Sequence, residues 1–366
     1  MSSHFCRAPA MLLAMFTGMV LADSAWADVP SKPTNVELRV GETPIVAKLM
    51  AIDPASKTGF ALVPSGEIAT GPLEAMAPTD KPFKPSTFDE LASELTTKAF
   101  PGFKSHKTTR YLYIYNCSDE FRKLTSTILE TMYPSLFAYF KNERFDVHQP
   151  EFPLVIVIFA HHTQMRGYKP NLPENVVAFY ETLSNRVILT EKSRLVEQLP
   201  QLGIQQAFST IAHEGVHQIL HNIGVQARLS RWPAWLSEGM AEYFSPTEVG
   251  QRMRWKGVGK PNDLRMMELA QLPAPVEKSG EKTITERTVS AGGLTSTGYA
   301  TAWALTNYLG ERHRPSFLAY VRDVSGMKPL EAVDPDQEIV RFRKHFGEDM
   351  FKIDQGVHTH ISKLKK

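Results

Sequence analysis

Between Phe208 and Asn222 the chain reads FSTIAHEGVHQILHN, which places His213, Glu214 and His217 in the order H-E-x-x-H. A helix turns about 100° per residue, so two histidines four apart stack on one face, within reach of a single metal ion. Zinc is the first reading of such a pair. Glu214 follows His213 directly and stands close enough to act as general base on a water at that ion. In the same register Phe208, Ala212, Gly215, Val216, Ile219 and Ile223 form one apolar stripe. The histidines point the other way, which sets them apart from ordinary core histidines. The competing reading is a solvated face that happens to carry two histidines.

Catalytic zinc usually keeps three protein ligands, so a third must be found. The metzincin extension would put Gly three residues and His six residues past His217, where this chain has Leu220 and Ile223. His221 continues the ladder without belonging to a motif and reads as a polar neighbour. Asn222 and Gly224 stop the helix, and Pro233 opens a second one, PAWLSEGMAEYF. Leu236, Gly239, Met240 and Tyr243 form its apolar side, so Glu238 and Glu242, four apart, project together from the other flank. Spacing alone does not say which of them binds metal.

HEGVH followed at this distance by WLSEGMAEYF resembles the gluzincin metallopeptidases, the broad group that includes thermolysin-like and M1-type enzymes. It is similar in particular to an uncharacterised secreted bacterial family with a WLSEGxAEYF motif. The resemblance runs from about Thr87 to the C-terminus, with its specific motifs confined to His213–Phe244 and a weaker piece near Tyr299. It implies that Glu238 completes a one-zinc site with His213 and His217, that Glu214 is the base, and that Glu242 supports the ligands from behind. Tyr299 resembles the M1-type tyrosine whose hydroxyl stabilises the oxyanion; the alternative is an aromatic that packs at a helix start. In gluzincins the strand before the site helix commonly lies along the cleft and pairs with extended substrate. That makes Tyr180 and Asn185 substrate-binding candidates, against an ordinary role as strand and turn residues.

The implied activity is hydrolysis of peptide bonds in a peptide or protein substrate by a zinc-activated water. No G-x-M-E-N amine anchor of M1 aminopeptidases is present, which favours an endopeptidase. The rival from another class is a non-catalytic zinc-bearing domain that binds peptides or a cell-envelope partner. Glu214 argues against it, as does the lack of a closed set of four Cys or His ligands around Cys117.

With 366 residues, 42% of them hydrophobic, the chain has material for one catalytic domain and a small extra module. Its formal charge of +2 is unchanged by removal of residues 1–27, which contain only Arg7 and Asp23 as charged groups, so no nucleic-acid partner is implied. Those residues read as a secretory signal: Arg7, an apolar run from Ala10 to Ala22, and the small-x-small pattern Ala25-Trp26-Ala27. The run is shorter than the roughly 20 residues that span a bilayer, so the expectation is export to the periplasm or medium without stable membrane insertion. Cleavage leaves Cys117 as the single cysteine, which excludes an intramolecular disulfide and reads as a small buried hydrophobe.

The expected class is therefore α+β: a zincin-like gluzincin domain with a mixed sheet, an active-site helix and a helical C-terminal lobe, preceded by a small β module. The expected boundaries are a signal peptide over 1–27, the β module over 28–77, a linker over 78–86 marked by Pro78, Pro82 and Pro85, and the catalytic domain over 87–366. VELRV, PIVAKLMAI and GFALV supply the module's strands between glycines. Thr87 and Glu90 form a capping box for a helix to about Lys98, and Ser118 caps a long helix to about Phe140. TRYLYIYN is a strand, FPLVIVIFA a central strand, and NVVAFYETLSNRVILT a hairpin. From Ser245 to Gly298 the chain reads as irregular, with Arg252, Arg254, Lys256, Lys260 and Arg265 as a solvated charge run. Gly298 precedes a helix, and later helices fall near Pro315–Val324 and Ile339–Lys366.

Overall fold

The computed structural model describes residues 34–40, 43–248, 254–331 and 333–364; the expected signal peptide lies outside them. The architecture is mixed α and β with several separate sheets. No helix among the described residues is long and apolar enough to cross a membrane. The chain divides into two compact units, one of residues up to Arg122 with Pro150–Glu197, the other of Lys123–Gln149 with Gln198–Lys366.

The first unit opens with β1 (Thr34–Val40), β2 (Thr43–Asp53), β3 (Thr58–Leu62), β4 (Ile68–Pro72) and β5 (Ala77–Pro78). They form an antiparallel sheet in the order β4-β3-β2-β1-β5. Alternation puts Val36, Leu38, Ala47, Leu49 and Ala61 on one face, where they pack with Met76. The Thr87 capping box then starts α1 (Phe88–Glu94), its hydroxyl accepting from the Glu90 amide and the Glu90 carboxylate accepting from the Thr87 amide.

A second sheet combines β6 (Lys104–Lys107) and β7 (Tyr111–Tyr115), followed by α2 (Asp119–Asn142), inside which the unit boundary falls. Next come β8 (Leu154–His161), α3 (His162–Tyr168), β9 (Ala178–Glu181) and β10 (Arg186–Lys192). The strand order is β6-β7-β8-β10-β9, with β8 parallel to both β7 and β10, and β6 and β9 antiparallel at the edges. A strand paired in parallel on both sides is covered on both faces. That is why Leu154–Phe159 carry an unbroken apolar run, all buried. Cys117 is buried and free, and burial pushes its thiol up to about 12, so it is inert.

After α4 (Arg194–Gln198), the second unit is nearly all helix: α5 (Pro200–Asn222), α6 (Ala234–Phe244), α7 (Asp263–Leu269), α8 (Ile284–Val289), α9 (Ser296–Arg312), α10 (Arg314–Ser325), α11 (Pro335–Phe346) and α12 (Met350–Leu364). A short ribbon of β11 (Thr247–Glu248) and β12 (Arg254–Trp255) follows α6. Two expectations are corrected here. The stretch 245–298 is not irregular throughout, because it contains α7 and α8. The terminal helix is two, since Gly347, at φ 92°, ends α11 and the Asp349 side chain caps α12 by accepting from the Lys352 amide.

Helix α5 is buried from Ile211 to Ile223 apart from partial exposure at His213, Glu214 and His221. Gly215 lets it approach α2, since a Cβ there would lie 2.4 Å from Leu129 Cδ2. A similar close approach joins α6 to α9 at Gly239, where a Cβ would lie 2.3 Å from Thr306 Oγ1 and 2.7 Å from the Ala302 carbonyl oxygen. The carbonyl belongs to helix backbone and cannot rotate away. Gly239→Ala is therefore expected to cost about 1–3 kcal/mol by overpacking, read as a fall in thermal midpoint. Gly167→Ala in α3, where a Cβ meets nothing within 4 Å, serves as the neutral control. Equal midpoints for the two variants would refute the steric role of Gly239.

Candidate metal centre

The i, i+4 spacing on α5 brings the His213 and His217 rings edge to face at 5.0 Å, with their Nε2 atoms 3.3 Å apart. Glu238, one turn into α6, places Oε2 3.0 Å from His213 Nε2 and 3.5 Å from His217 Nε2. Among the described residues this is the one group of three or more His, Cys, Asp or Glu donors that gathers closely enough to hold a metal ion. The three separations test the fit. Ligands at about 2.05 Å from a tetrahedral zinc lie about 3.3 Å from one another, and 3.0, 3.3 and 3.5 Å bracket that edge.

Glu242 occupies a different place. It is buried, and its Oε1 stands 3.2 Å from His213 Nδ1, on the far side of the ring from Glu238. A proton on Nδ1 donated to Glu242 leaves the Nε2 lone pair for a cation, which is how a carboxylate behind an imidazole sets its tautomer. Glu242 is itself held by Arg265 Nη2 at 2.8 Å and by Asn262 Nδ2 at 2.7 Å. The two carboxylates that spacing left equivalent thus differ by which nitrogen of His213 each one faces.

Charge follows this geometry. Burial alone would lower His213, yet its hydrogen bonds to Glu238 and Glu242 and the nearby Glu214 charge hold it well above the usual histidine value. Burial would raise Glu238, but the His217 and His213 partners keep it far below the carboxylate range. Glu242 is brought down to about 2 against its own burial, by His213 and then Arg265. Three carboxylates thus meet two imidazoles and one guanidinium that is shared with Glu268. Such an excess of negative charge suits a divalent cation.

Tyr299 lies in the first turn of α9, which Thr295 caps by accepting from the Gly298 amide. Its ring centre is 6.2 Å from that of His213, and the Arg265 guanidinium lies over its face at 5.3 Å. Burial, reinforced by the charges of Glu238, Glu214 and Glu242, pushes its hydroxyl up to about 12, so the phenol keeps its proton and is a hydrogen-bond donor. Glu214 is partly exposed, and its charge acts on both His213 and Tyr299. His221 stands outside the donor group, and burial lowers it to about 3.

Tyr180 and Asn185 belong to the β9–β10 hairpin of the first unit, whereas every residue of the cluster lies in the second. Their side chains meet each other, the Tyr180 hydroxyl donating to Asn185 Oδ1 at 2.9 Å. Asn185 is buried and sits at φ 59°, a left-handed turn position that Asn tolerates better than most residues.

Asn262 and Arg265 were not anticipated, and Arg265 corrects the reading of a solvated charge run. Its side chain is 15% exposed and paired with both Glu242 and Glu268. The signal was present: Asn262 accepts from the Arg265 amide as the N-cap of α7, and Arg265 and Glu268 are three apart on one face. Arg265→Met keeps the length of the side chain but leaves Glu242 buried without its cation. The expected result is about 10- to 100-fold weaker metal binding through His213, measured by chelator competition. Arg254→Met, at an exposed pair with Glu248, is the control; equal affinities would refute the link.

No curated protein matches the chain at a significant level. A family described as "Protein of unknown function (DUF1570)" matches residues 207–331, a segment that lies wholly in the second unit and contains every residue of the cluster.

Proposed function

We propose that the chain is an exported zinc-dependent metallopeptidase of gluzincin type, an endopeptidase that hydrolyses peptide bonds with Glu214 as general base. The observation that carries the reading is the triangle of His213 Nε2, His217 Nε2 and Glu238 Oε2, with Glu214 on the same helix and Tyr299 beside it. A zinc ion held by those three atoms would supply the Lewis acidity that activates a water near neutral pH and polarises a carbonyl.

The remaining work falls to side chains. Glu214 takes the proton of the attacking water and returns it to the departing amine. Tyr299, protonated at neutral pH, donates a hydrogen bond to the oxyanion that develops on the carbonyl. Glu242 fixes the His213 ring through Nδ1, and Arg265 fixes Glu242 while covering the Tyr299 ring. Removal of residues 1–27 belongs to the same proposal and rests on the sequence alone.

Metal analysis and a peptide-library screen on the same preparation test the reading. The expected result is one zinc per chain and internal cleavage that a chelator stops and added zinc restores. Less than about a tenth of an equivalent after zinc supplementation, with no affinity on titration, would end the metal reading. Zinc without cleavage would end the peptidase reading and leave a binding domain.

A further inference from the structure

Beside α9 the second unit has a half-open cavity of about 180 Å³, lined by residues of α7, α8, α9 and α12 and of the loop after α7. At about 100° per residue, Thr301, Ala304 and Leu305, which line it, fall within about 60° of the point opposite Tyr299 on the helix. Ala302 and Thr306 turn instead toward α6 at Gly239. The cavity therefore opens on the other side of α9 from the metal cluster and is no part of it.

Most of the wall is apolar, with Leu269, Pro273, Ile284, Val357 and Ile361 beside Leu305. An apolar cavity of about 150 Å³ takes a benzene ring, so this one has room for a single aromatic or branched aliphatic group with a short polar arm. One wall residue carries charge in a buried setting. Asp354 is 5% exposed and accepts from the Thr285 amide and hydroxyl at 2.8 and 2.6 Å and from the Ile284 amide at 2.8 Å. All three donors are neutral, and among the described residues no Lys, Arg or His pairs with it. A buried carboxylate without a cation, on a wall whose other titratable residue, His358, is exposed, favours a positively charged guest over a neutral one and disfavours an anion.

We propose that this cavity is a binding site for a small amphipathic amine, its apolar group among the α8, α9 and α12 side chains and its ammonium against Asp354. The site is independent of the metallopeptidase reading and stands or falls separately from it.

The test compares 2-phenylethylamine, 2-phenylethanol and 3-phenylpropionate, which share a ring and differ in the charge of the arm, by calorimetric titration of the full chain. The amine is expected to bind roughly tenfold tighter than the alcohol, the worth of a charged hydrogen bond, and the carboxylate not at all. Ala304→Phe fills the cavity and is expected to abolish binding, while Asp354→Asn brings the amine down to the alcohol. Because Asp354 also holds the start of α8, Val357→Phe provides a second blocking variant that leaves the carboxylate in place. Metal-stripped and zinc-loaded protein are expected to bind the amine equally. No binding at low-millimolar amine, equal affinity for amine and alcohol, full affinity in both filled variants, or loss of binding on stripping the metal would each overturn the proposal.

Discussion

Glu214→Gln is expected to keep metal affinity within a few-fold of the parent while hydrolysis falls by at least about 100-fold. The substitution conserves shape, and Glu214 contributes no atom to the three-donor group, so the triangle of His213, His217 and Glu238 keeps its geometry. What is lost is a carboxylate able to accept the proton of a water. The result is read from initial rates on a peptide taken from the library screen, beside chelator competition for affinity. Equal cleavage by parent and variant would remove Glu214 from the role of base. A parallel loss of metal would mean that the residue acts on the ligands rather than on the water.

The second large effect separates the paired carboxylates of α6. Glu238→Ala is expected to release most of the zinc, because only two imidazole nitrogens then remain. Glu242→Ala retains the ion with about 10- to 100-fold weaker affinity or lower activity, since it removes a support behind His213 rather than a ligand. A competitive chelator series on the two variants should place them in that order. If Glu242→Ala proves the more damaging, Glu242 is the third ligand. The partition seen in the structure, with Glu238 against Nε2 and Glu242 against Nδ1, would then be reversed in the loaded protein.

Those two residues also mark where sequence reading stops. The His213–His217 pair is legible because its geometry is local: four residues of one helix decide it. So are the capping box at Thr87, the buried run of β8 and the β9–β10 hairpin, each written in contiguous residues. Glu238 and Glu242 share one flank of α6, and what separates them is the crossing with α5 together with two residues more than a turn of sequence away, Asn262 and Arg265. Composition made Arg265 look solvated, whereas a buried carboxylate partner drew it inside. Tyr299 stands beside His213 where α9 packs closely on α6 at Gly239, which is a property of the packed pair and of neither helix alone. The break at Gly347 is hidden for a different reason: the apolar pattern resumes after it in a similar register, and only the glycine and the capping Asp349 mark it.

The burial of α5 has a bearing on when the proposed zinc would be acquired. Elements enclosed in this way open only at a cost approaching that of unfolding the unit around them. From Ile211 to Ile223 the helix has almost no surface from which to fray, so its donors are in position as soon as the unit has folded. That contrasts with small zinc domains, which are unfolded until the ion arrives and whose folding is the binding event. On the proposed zinc reading the two events would come apart, the ion entering a donor set that folding has already assembled.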